Sequence, residues 1–462
     1  MPISHLLGLS IMTTLASAAS PAPPIPLVEA EEAVYTFADP NNGSGPMWCH
    51  GNTCLVRIGE RLFASGMEVL PDVKPYNNTR WMLFERTAKG WELAQADPKD
   101  RTREPSPLAG FPGGPLFLSV NPTLAPRDAQ GGGPATPQVL AFDPTDAKAA
   151  PKALLPVWDR EPQFTEHSYR SFVADAANRE LILLNNIGYT HAEWSFLDRT
   201  GQWSAQGKLK WPWGAEYDEP EPARLCYPAV ELKDRAVYFC GVSDIVEPYK
   251  AWRAAKKEIT GQDWDYDFRR LFFAWCPDIT KGEFSEWVEV SSRDKTAGWI
   301  FPCDIWVAPD GAVNLLWTER AIDDRLRERF FPGEKQTNAL MHAVVRDGKV
   351  VQKRALLLGG EGASSETPGE GRFHVTADNR LFVIYWVGGS DPDGKPVGEN
   401  RLMELYPDGT SSSQIRVPLQ HPLTSFFSTT VRGGSPASDT IEILGHRADQ
   451  SGAVSYARVG LR

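Results

Sequence analysis

Residues 166–203 read EHSYRSFVADAANRELILLNNIGYTHAEWSFLDRTGQW, and this stretch decides the fold class. Residues 169–175 and 180–185 are largely apolar runs joined by the turn-prone sequence Ala-Ala-Asn-Arg, as in a β-hairpin. Residues 193–197 form a third run, and a second turn separates it from a fourth strand that opens at Trp203. One small sheet of this kind cannot bury both of its faces alone, so it must pack against further units.

The same unit recurs along the chain, which predicts a repeat architecture. Each recurrence has an apolar hairpin followed by an outer pair of strands, and Asp-Gly or Lys-Gly turns join several of the outer pairs. Seven units are recognised, at residues 52–94, 105–158, 166–211, 224–290, 300–358, 371–419 and from 421 to the end. We therefore predict an all-β fold, a seven-bladed β-propeller of four-stranded antiparallel blades, with a pair of β-sandwiches as the alternative. Short helices are predicted at 249–260 and 320–329.

Composition supports a large folded core and argues against a nucleic-acid partner. The 462 residues are 42% hydrophobic and include 16 Trp and 21 Phe. The net charge is −11 and no block of Lys or Arg occurs, so a nucleic-acid partner is not expected. After the N-terminus no apolar stretch is long enough to span a membrane.

The N-terminus has the pattern of an export signal. Residues 6–16 form a short apolar run, and small residues suited to cleavage follow at 16–18. We expect a signal peptide at 1–18, an extended N-terminal segment at 19–46 and the propeller domain at 47–462. The mature protein is expected to be secreted or periplasmic, and to be a monomer.

Six cysteines agree with an oxidising compartment. Cys226 and Cys240 flank a turn almost symmetrically, so a hairpin would place them opposite each other. The candidate disulfide pairs are Cys49 with Cys54, Cys226 with Cys240, and Cys276 with Cys303. Free buried thiols are the alternative.

In a propeller, functional side chains gather where the inner strands begin, above the central channel. Candidates are therefore the polar and aromatic residues just before each hairpin: Trp48, His50, His167, Arg224, Tyr227, Trp299, Asp304, Arg372, His374 and His421. For any one histidine, a purely structural role is the alternative.

Three short motifs carry a family resemblance. His167-Ser-Tyr, then Gly-Tyr-Thr-His191, then the Tyr227-Pro hairpin resemble the BNR-repeat propellers of the sialidase-like superfamily. Residues 195–203, SFLDRTGQW, are similar to an Asp-box with shifted spacing. Within the superfamily the order of these motifs is most similar to secreted polysaccharide lyases of the ulvan-lyase type. Those enzymes use two histidines, a tyrosine and an arginine on adjacent blades.

The resemblance implies a catalytic set. It assigns the histidine roles to His167 and His191 and the tyrosine role to Tyr227. The family arginine has no counterpart, because its place after the hairpin is taken by residues 239–243, Phe-Cys-Gly-Val-Ser. Cleavage of a 4-linked uronate needs a base for the C5 proton and a cation for the carboxylate. Arg224, which precedes Tyr227 by three residues, is our preferred cation; a salt bridge to a nearby glutamate is its alternative role.

Further residues are predicted to contact a sugar substrate through charge or aromatic faces. This substrate-binding set comprises Arg320, Arg372, His374, His421, Trp299 and Trp317. A polysaccharide lyase is the leading hypothesis, with a sialidase-like glycoside hydrolase and a non-catalytic propeller that binds glycans or proteins as alternatives. Convergence of His167, His191 and Tyr227 would favour an enzyme.

No catalytic metal or organic cofactor is predicted, since no Cys/His spacing indicates a zinc site. The acidic turn at 390–394, Ser-Asp-Pro-Asp-Gly, is a candidate for structural calcium. Capping of a hairpin is the alternative role of such a turn.

Overall fold

Seven four-stranded antiparallel sheets, as the sequence predicts, and two short two-stranded pairs make up residues 24–462. The computed structural model describes residues 24–462, so the predicted signal peptide at 1–18 lies outside the described residues. Successive sheets pack face to face around one axis as the blades of a propeller, and they follow the predicted units in order.

The first three blades form in chain order after an initial strand. That strand is β1 (Pro26–Thr36). Blade 1 contains β2 (Leu55–Ile58), β3 (Arg61–Val69), β4 (Thr79–Thr87) and β5 (Gly90–Ala96). Blade 2 contains β6 (Leu108–Gly110), β7 (Leu116–Val120), β8 (Gln138–Phe142) and β9 (Lys152–Leu154). Blade 3 contains β10 (Ser171–Asp175), β11 (Glu180–Ile187), β12 (His191–Leu197) and β13 (Trp203–Lys210).

Blades 4 and 5 carry insertions between their strands. The pair β14 (Trp213–Gly214) and β15 (Glu221–Pro222) precedes blade 4. Blade 4 contains β16 (Leu225–Lys233) and β17 (Ala236–Ser243), then the inserted β18 (Ile245–Val246), α1 (Lys250–Thr260) and β19 (Tyr266–Asp267), and finally β20 (Arg270–Cys276) and β21 (Val288–Ser292). Blade 5 contains β22 (Trp299–Val307), β23 (Val313–Arg320), the inserted α2 (Asp324–Phe330), β24 (Thr337–Arg346) and β25 (Lys349–Gly360).

Both ends of the described chain meet in the last blade. Blade 6 contains β26 (Glu366–Val375), β27 (Leu381–Ser390), β28 (Pro396–Leu405) and β29 (Ile415–Val417). Blade 7 contains β30 (Leu423–Ser428), β31 (Thr440–Arg447), β32 (Gln450–Leu461) and, as its outer strand, β1. Part of the segment at 19–46 is thus an extended strand that belongs to a sheet. The ring of Tyr35 in β1 stacks on Phe84 of blade 1 with 5.2 Å between ring centroids, which ties the closing blade to the first.

The core consists of apolar layers between neighbouring blades. Val56 and Phe63 of blade 1, for example, pack with Leu108 and Leu118 of blade 2, and all four are buried. The inner strands are almost continuously buried because both of their faces are covered, and this explains their unbroken apolar runs in the sequence. The outer strands alternate between half-buried and exposed residues, as in β13.

The two inserted helices confirm the predicted ones, with one shifted boundary. The second starts at Asp324 rather than 320 because Arg320 is still the last residue of β23, and the side chain of Asp323 caps the helix by accepting the N–H of Arg325. Lys256 of α1 ion-pairs with Glu247 at 2.7 Å, and both side chains are buried. Within residues 24–462 no helix has the length and apolar character needed to cross a membrane.

The central channel is occupied by residues 429–435, which we call the axial segment. It connects β30 to β31 of blade 7 and contacts the inner strands of blades 2, 3 and 4. The guanidinium of Arg432, 2% exposed, donates to a carboxylate oxygen of Asp304 at 2.9 Å and to the carbonyl of Gly51 at 2.6 Å. Gly434 approaches Gly110 so closely that a Cβ there would lie 1.8 Å from the Gly110 carbonyl oxygen. The channel is therefore closed along its axis.

All six cysteines are free thiols in the structure, so no disulfide is confirmed. The expected opposition of Cys226 and Cys240 is wrong: Cys226 faces Val242, and Cys240 faces Ala229. The reason is a bulge in β16 between Cys226 and Ala229, which shifts the register of the hairpin. Cys49 and Cys54 do lie together, with their sulfur atoms 3.5 Å apart.

Candidate functional site

Six ring side chains converge where the inner strands of blades 3 to 5 begin, beside the loop that leads into blade 1. We call them the mouth cluster: Trp48, His50, His167, Tyr169, Tyr227 and Phe301. The ring centroid of Tyr169 lies 4.4 Å from that of His167 and 5.2 Å from that of Tyr227. The His50 ring lies 5.1 Å from Tyr227. The cluster thus brings His167 and Tyr227 to one place, with Tyr169 between them.

The backbone is strained at the two central tyrosines. Tyr169 has φ 42° and Tyr227 has φ 47°, in the left-handed region that bulky residues seldom adopt. Each such residue costs about 1–3 kcal/mol and persists only where its surroundings fix it. For Tyr227 the bulge in β16 provides the turn that brings its ring toward the cluster. Backbone strain at two residues whose rings are neighbours in one cluster is typical of functional sites.

A half-buried glutamate holds the ring of His50. Glu370 accepts from Nδ1 of His50 at 3.0 Å and from the hydroxyl of Ser425 at 2.6 Å. Burial alone would raise the pKa of Glu370, but the charge of Arg372 and the hydrogen bonds from His50 and Ser425 outweigh it and lower the pKa to about 2. Because the ionised carboxylate only accepts, the proton sits on Nδ1 of His50, and Nε2 is left for a ligand.

A second glutamate lies behind His167. One oxygen of Glu104 is 3.4 Å from Nδ1 of His167, and the carboxylate also accepts from the backbone N–H and the hydroxyl of Ser168. Burial opposes ionisation of Glu104, yet the contacts with His167, Arg170 and Ser168 lower its pKa. Glu104 is 3% exposed, so it acts on His167 and is not itself available to a substrate.

The tyrosine hydroxyls of the cluster remain protonated at neutral pH. Burial raises the pKa of Tyr227 and of Tyr169 well above the ordinary value, and nearby Cys226 and Asp244 add to the effect. A protonated phenol is a proton donor and not a base. Acid and base functions would therefore divide between tyrosine and histidine.

Arg224 lies beside the cluster but its charge is already compensated. Its guanidinium pairs with Asp244 at 2.6 Å and not with the glutamates near it in sequence. It also lies over the ring of Tyr189 at 4.0 Å and over that of Tyr169 at 5.5 Å. Its role here is to support Tyr169 from behind.

Trp299 and Arg320 extend the cluster over blade 5. Trp299 stacks on Phe301 with 5.2 Å between centroids, and Phe301 lies 5.1 Å from Tyr227. Arg320 stands opposite Trp299 in the β22–β23 register and is exposed. Within residues 24–462 its side chain forms neither an ion pair nor a hydrogen bond. An uncompensated cation thus sits at the edge of the aromatic surface.

Five other predicted site residues lie apart from the ring contacts of the cluster. His191 contacts Glu193 at 3.1 Å on the third strand of blade 3. Trp317 is fully buried and donates to Glu319. His374 donates to the carbonyl of Ser438 at 2.7 Å beside the axial segment. His421 contacts Asp449 on blade 7. Arg372 lies beneath the cluster, where it donates to the carbonyls of Cys303 and His50.

The structure also brings three residues into the site that the sequence did not predict there. Tyr169 and the two glutamates Glu104 and Glu370 belong to the site. Tyr169 lies two residues before β10 and Tyr227 is the third residue of β16, so both lie where an inner strand begins, and this position is the signal that would have identified Tyr169. The glutamates carry no such signal, since each lies far along the chain from its histidine.

The part of the chain that the structure describes contains no cluster of metal-ligating side chains. Between residues 24 and 462 no group of three or more His, Cys, Asp or Glu side chains is arranged to hold an ion. In the acidic turn at 390–394, the side chain of Asp391 accepts the backbone N–H groups of Asp393 and Lys395.

No family model matches the sequence, and neither does any curated protein. Among solved structures, a protein of unknown function from Dyadobacter fermentans aligns with TM-score 0.46 and 11% identity, over 95% of this chain and 99% of its own. The apocarotenoid oxygenase of Synechocystis aligns with TM-score 0.44 and 11% identity, over 95% of this chain and 94% of its own. An α-L-arabinanase from Penicillium chrysogenum aligns with TM-score 0.39 and 10% identity, over 76% of this chain and 92% of its own. The chain is a seven-bladed β-propeller by the arrangement of its own sheets.

Proposed function

We propose that the mouth cluster binds a uronate-containing polysaccharide and cleaves it by β-elimination. One observation carries the proposal: two histidines, each with a glutamate carboxylate beside its Nδ1, lie with two protonated tyrosines in a single aromatic site. This is the acid and base pair that removal of a proton and expulsion of an alkoxide require. The resemblance to polysaccharide lyases of the ulvan-lyase type supports the use of His167 and Tyr227, whereas its second histidine, His191, lies outside the mouth cluster and His50 takes that place in the proposal.

The proposed step transfers one proton from the substrate to the protein and one proton from the protein to the substrate. Nε2 of His167 takes the proton from C5 of the uronate, and the C5–H electrons form the C4–C5 double bond. The bond from C4 to O4 breaks, and the Tyr227 hydroxyl gives its proton to the leaving oxygen. Arg320 is placed to pair with the uronate carboxylate, which stabilises the charge that develops beside it. Trp299 and Trp48 provide faces for sugar rings.

The carboxylates near the cluster argue against a glycosidase. A hydrolase of the common type needs two carboxyl groups facing the scissile bond, at about 5–5.5 Å or about 6.5–9.5 Å from each other. Glu104 and Asp244 are buried, and Glu370 is engaged by His50 and Ser425. Each of these carboxylates is paired with a protein cation or histidine, so none is free to attack or protonate a glycosidic bond.

The test is the ultraviolet absorbance of the unsaturated product during incubation with alginate, polygalacturonate and ulvan. We expect a rise with one of these polymers and its loss, by about a hundredfold or more, in His167→Ala and Tyr227→Phe. His191→Gln is the matched control, because this histidine lies outside the mouth cluster, and it is expected to retain activity. Release of reducing ends without the absorbance would favour a hydrolase. Binding of the polymer without either signal would favour a non-catalytic glycan-binding propeller.

A further inference from the structure

Two cysteines frame the loop that carries the first two rings of the mouth cluster. This mouth loop, residues 47–54, reads MWCHGNTC. The sulfur atoms of Cys49 and Cys54 are 3.5 Å apart, and the backbone N–H of Asn52 donates to the Cys49 carbonyl at 2.9 Å, which closes a tight turn between them. Both cysteines pack in the hydrophobic layer between blades 1 and 7. Cys49 sits between Trp48 and His50 in sequence.

The other four cysteines lack such a partner. Cys226 and Cys240 are displaced from each other in the register of their hairpin. Cys276 belongs to blade 4 and packs between blades 3 and 4, whereas Cys303 belongs to blade 5 and packs against blade 6. Cys49 and Cys54 of the mouth loop are therefore the pair whose sulfur atoms already lie close to each other.

We propose that Cys49 and Cys54 form a disulfide under oxidising conditions and that this bond locks the mouth loop. Bond formation requires the sulfur atoms to approach by about 1.5 Å, to the usual S–S length of about 2.05 Å. The two thiols release two protons and two electrons. A disulfide oxidant such as oxidised glutathione accepts the electrons and becomes two thiols, through a mixed disulfide with one of the cysteines.

The hydrogen bonds of the mouth loop show which of its residues are already fixed without a disulfide. Arg372 donates to the carbonyl of His50, and Arg432 donates to that of Gly51. The side chain of Asn52 donates to the Arg170 carbonyl and accepts from the N–H of Phe172. These contacts fix residues 50–52. A disulfide would tie Cys49, and with it the neighbouring Trp48, to the fixed start of blade 1.

Reaction at neutral pH is expected to be slow, since burial and the adjacent Cys54 raise the pKa of Cys49. The thiolate is the attacking species, so alkaline conditions accelerate the exchange. The proposal concerns the thiols alone and does not depend on the proposed function.

The first experiment identifies the bond. The full chain is incubated with oxidised glutathione at alkaline pH, unfolded, alkylated and digested with trypsin. Arg57 is the first Lys or Arg in the sequence, so both cysteines fall on one tryptic peptide. We expect this peptide to be lighter by two hydrogens and unalkylated, while the other four cysteines are alkylated. A doubly alkylated peptide, a glutathione adduct that persists, or a Cys226–Cys240 bond in its place would overturn the proposal.

The second experiment tests the locking. Hydrogen exchange of residues 47–54 is compared before and after oxidation, and again after a reductant is added. We expect several-fold slower exchange in the oxidised form, reversed by reduction and absent in Cys49→Ser. Cys226→Ser, which leaves the mouth loop intact, is expected to behave as the wild type. Exchange that does not change although the disulfide forms would refute the locking.

Discussion

At the scale of single residues, the site depends on carboxylates that never meet the substrate. Glu370 and Glu104 each lie at the Nδ1 side of a histidine, and each is kept ionised by neighbouring donors. The hydrogen bond to Glu370 gives the His50 ring one tautomer and one orientation, and Glu104 places a negative charge beside the His167 ring. In the proposed reaction Glu104 and Glu370 are positioning residues, whereas His167 and Tyr227 contact the reacting atoms.

The first prediction concerns Glu370→Gln. The pKa of Glu370 is lowered from 4.5 to about 2, so its stabilising contribution is complete above pH 4.5 and is lost as the pH falls toward 2. We expect the variant to be less stable than the wild type by about 3 kcal/mol at pH 7. The difference should shrink between pH 4.5 and 2, as measured by urea unfolding. A difference that stays constant over this range would contradict the assignment.

The second prediction concerns the buried His374. Burial lowers its pKa from 6.5 to about 4, so between these values the unfolded chain binds a proton that the folded chain does not. Stability should therefore fall as the pH drops from 6.5 to 4, by up to about 1.4 kcal/mol per pH unit for this group. His374→Gln keeps a donor for the Ser438 carbonyl but does not titrate, and its unfolding free energy should depend less on pH in this window. His421→Gln, at a half-buried histidine on blade 7, serves as the control.

At the scale of elements, the bulge of β16 and the mouth loop fit against each other. A Cβ added to Gly51 would lie 1.8 Å from the carbonyl oxygen of Pro228, the residue that follows Tyr227 in the bulge. Any side chain at residue 51 would push the loop and the bulge apart. Glycine there is thus required by a close approach of two backbones.

The third prediction follows from this contact. Gly51→Ala should lower the free energy of unfolding by about 1–3 kcal/mol, as overpacking of a dense site does. It should also reduce activity, because His50 and Tyr227 move with their backbones. Gly45→Ala is the matched control, since nothing lies within 4 Å of the added methyl group. Equal free energies of unfolding for the two variants would show that the mouth loop can shift to accommodate the added methyl group.

Local pattern in the sequence was sufficient to predict the blades. Each blade is built from consecutive hairpins, so alternating runs and turns along the chain mark all seven, and the ranges of α1 and α2 follow nearly as well. The partner of β1 was not predictable in this way. Its pairing with β32 joins residues more than 400 positions apart. The sequence of residues 26–36 contains no feature that indicates which strand they pair with.

The site could be predicted in part, for the same reason. His167, Tyr227 and Trp299 lie at inner-strand starts, a position that the repeat reveals, and the structure places all three in or beside the mouth cluster. Hydrogen-bond partners such as Glu370 cannot be recognised from sequence order, because they come from another blade. The bulge that separates Cys226 from its expected partner was equally hidden, since a one-residue change of register leaves no compositional trace.

At the scale of the whole molecule, the axial segment supports the floor of the site. Arg432 lies in the channel and links Asp304 of blade 5 to the Gly51 carbonyl of the mouth loop. The proposed substrate therefore has access from one face of the propeller and cannot pass through it.

The fourth prediction concerns Arg432→Met. Removal of this cation leaves Asp304 buried beside an uncharged chain, and loss of one partner of a buried pair costs about 3–5 kcal/mol. We expect a loss of that size in urea unfolding. Arg416→Met, which breaks the exposed pair with Glu399, should cost about 0.5 kcal/mol or less. Similar losses in both variants would mean that the axial ion pair contributes little.

The axial segment also affects how the propeller is expected to unfold. In arrays where each repeat touches only its neighbours, one repeat can open while the others stay folded. Here a segment of blade 7 crosses the centre and contacts the inner strands of blades 2, 3 and 4, which are not its neighbours in the ring. Opening of any of these blades removes contacts from the segment and thereby weakens the others. The propeller is expected to unfold as one cooperative unit, with the slowest-exchanging amides of opposite blades sharing a single opening free energy.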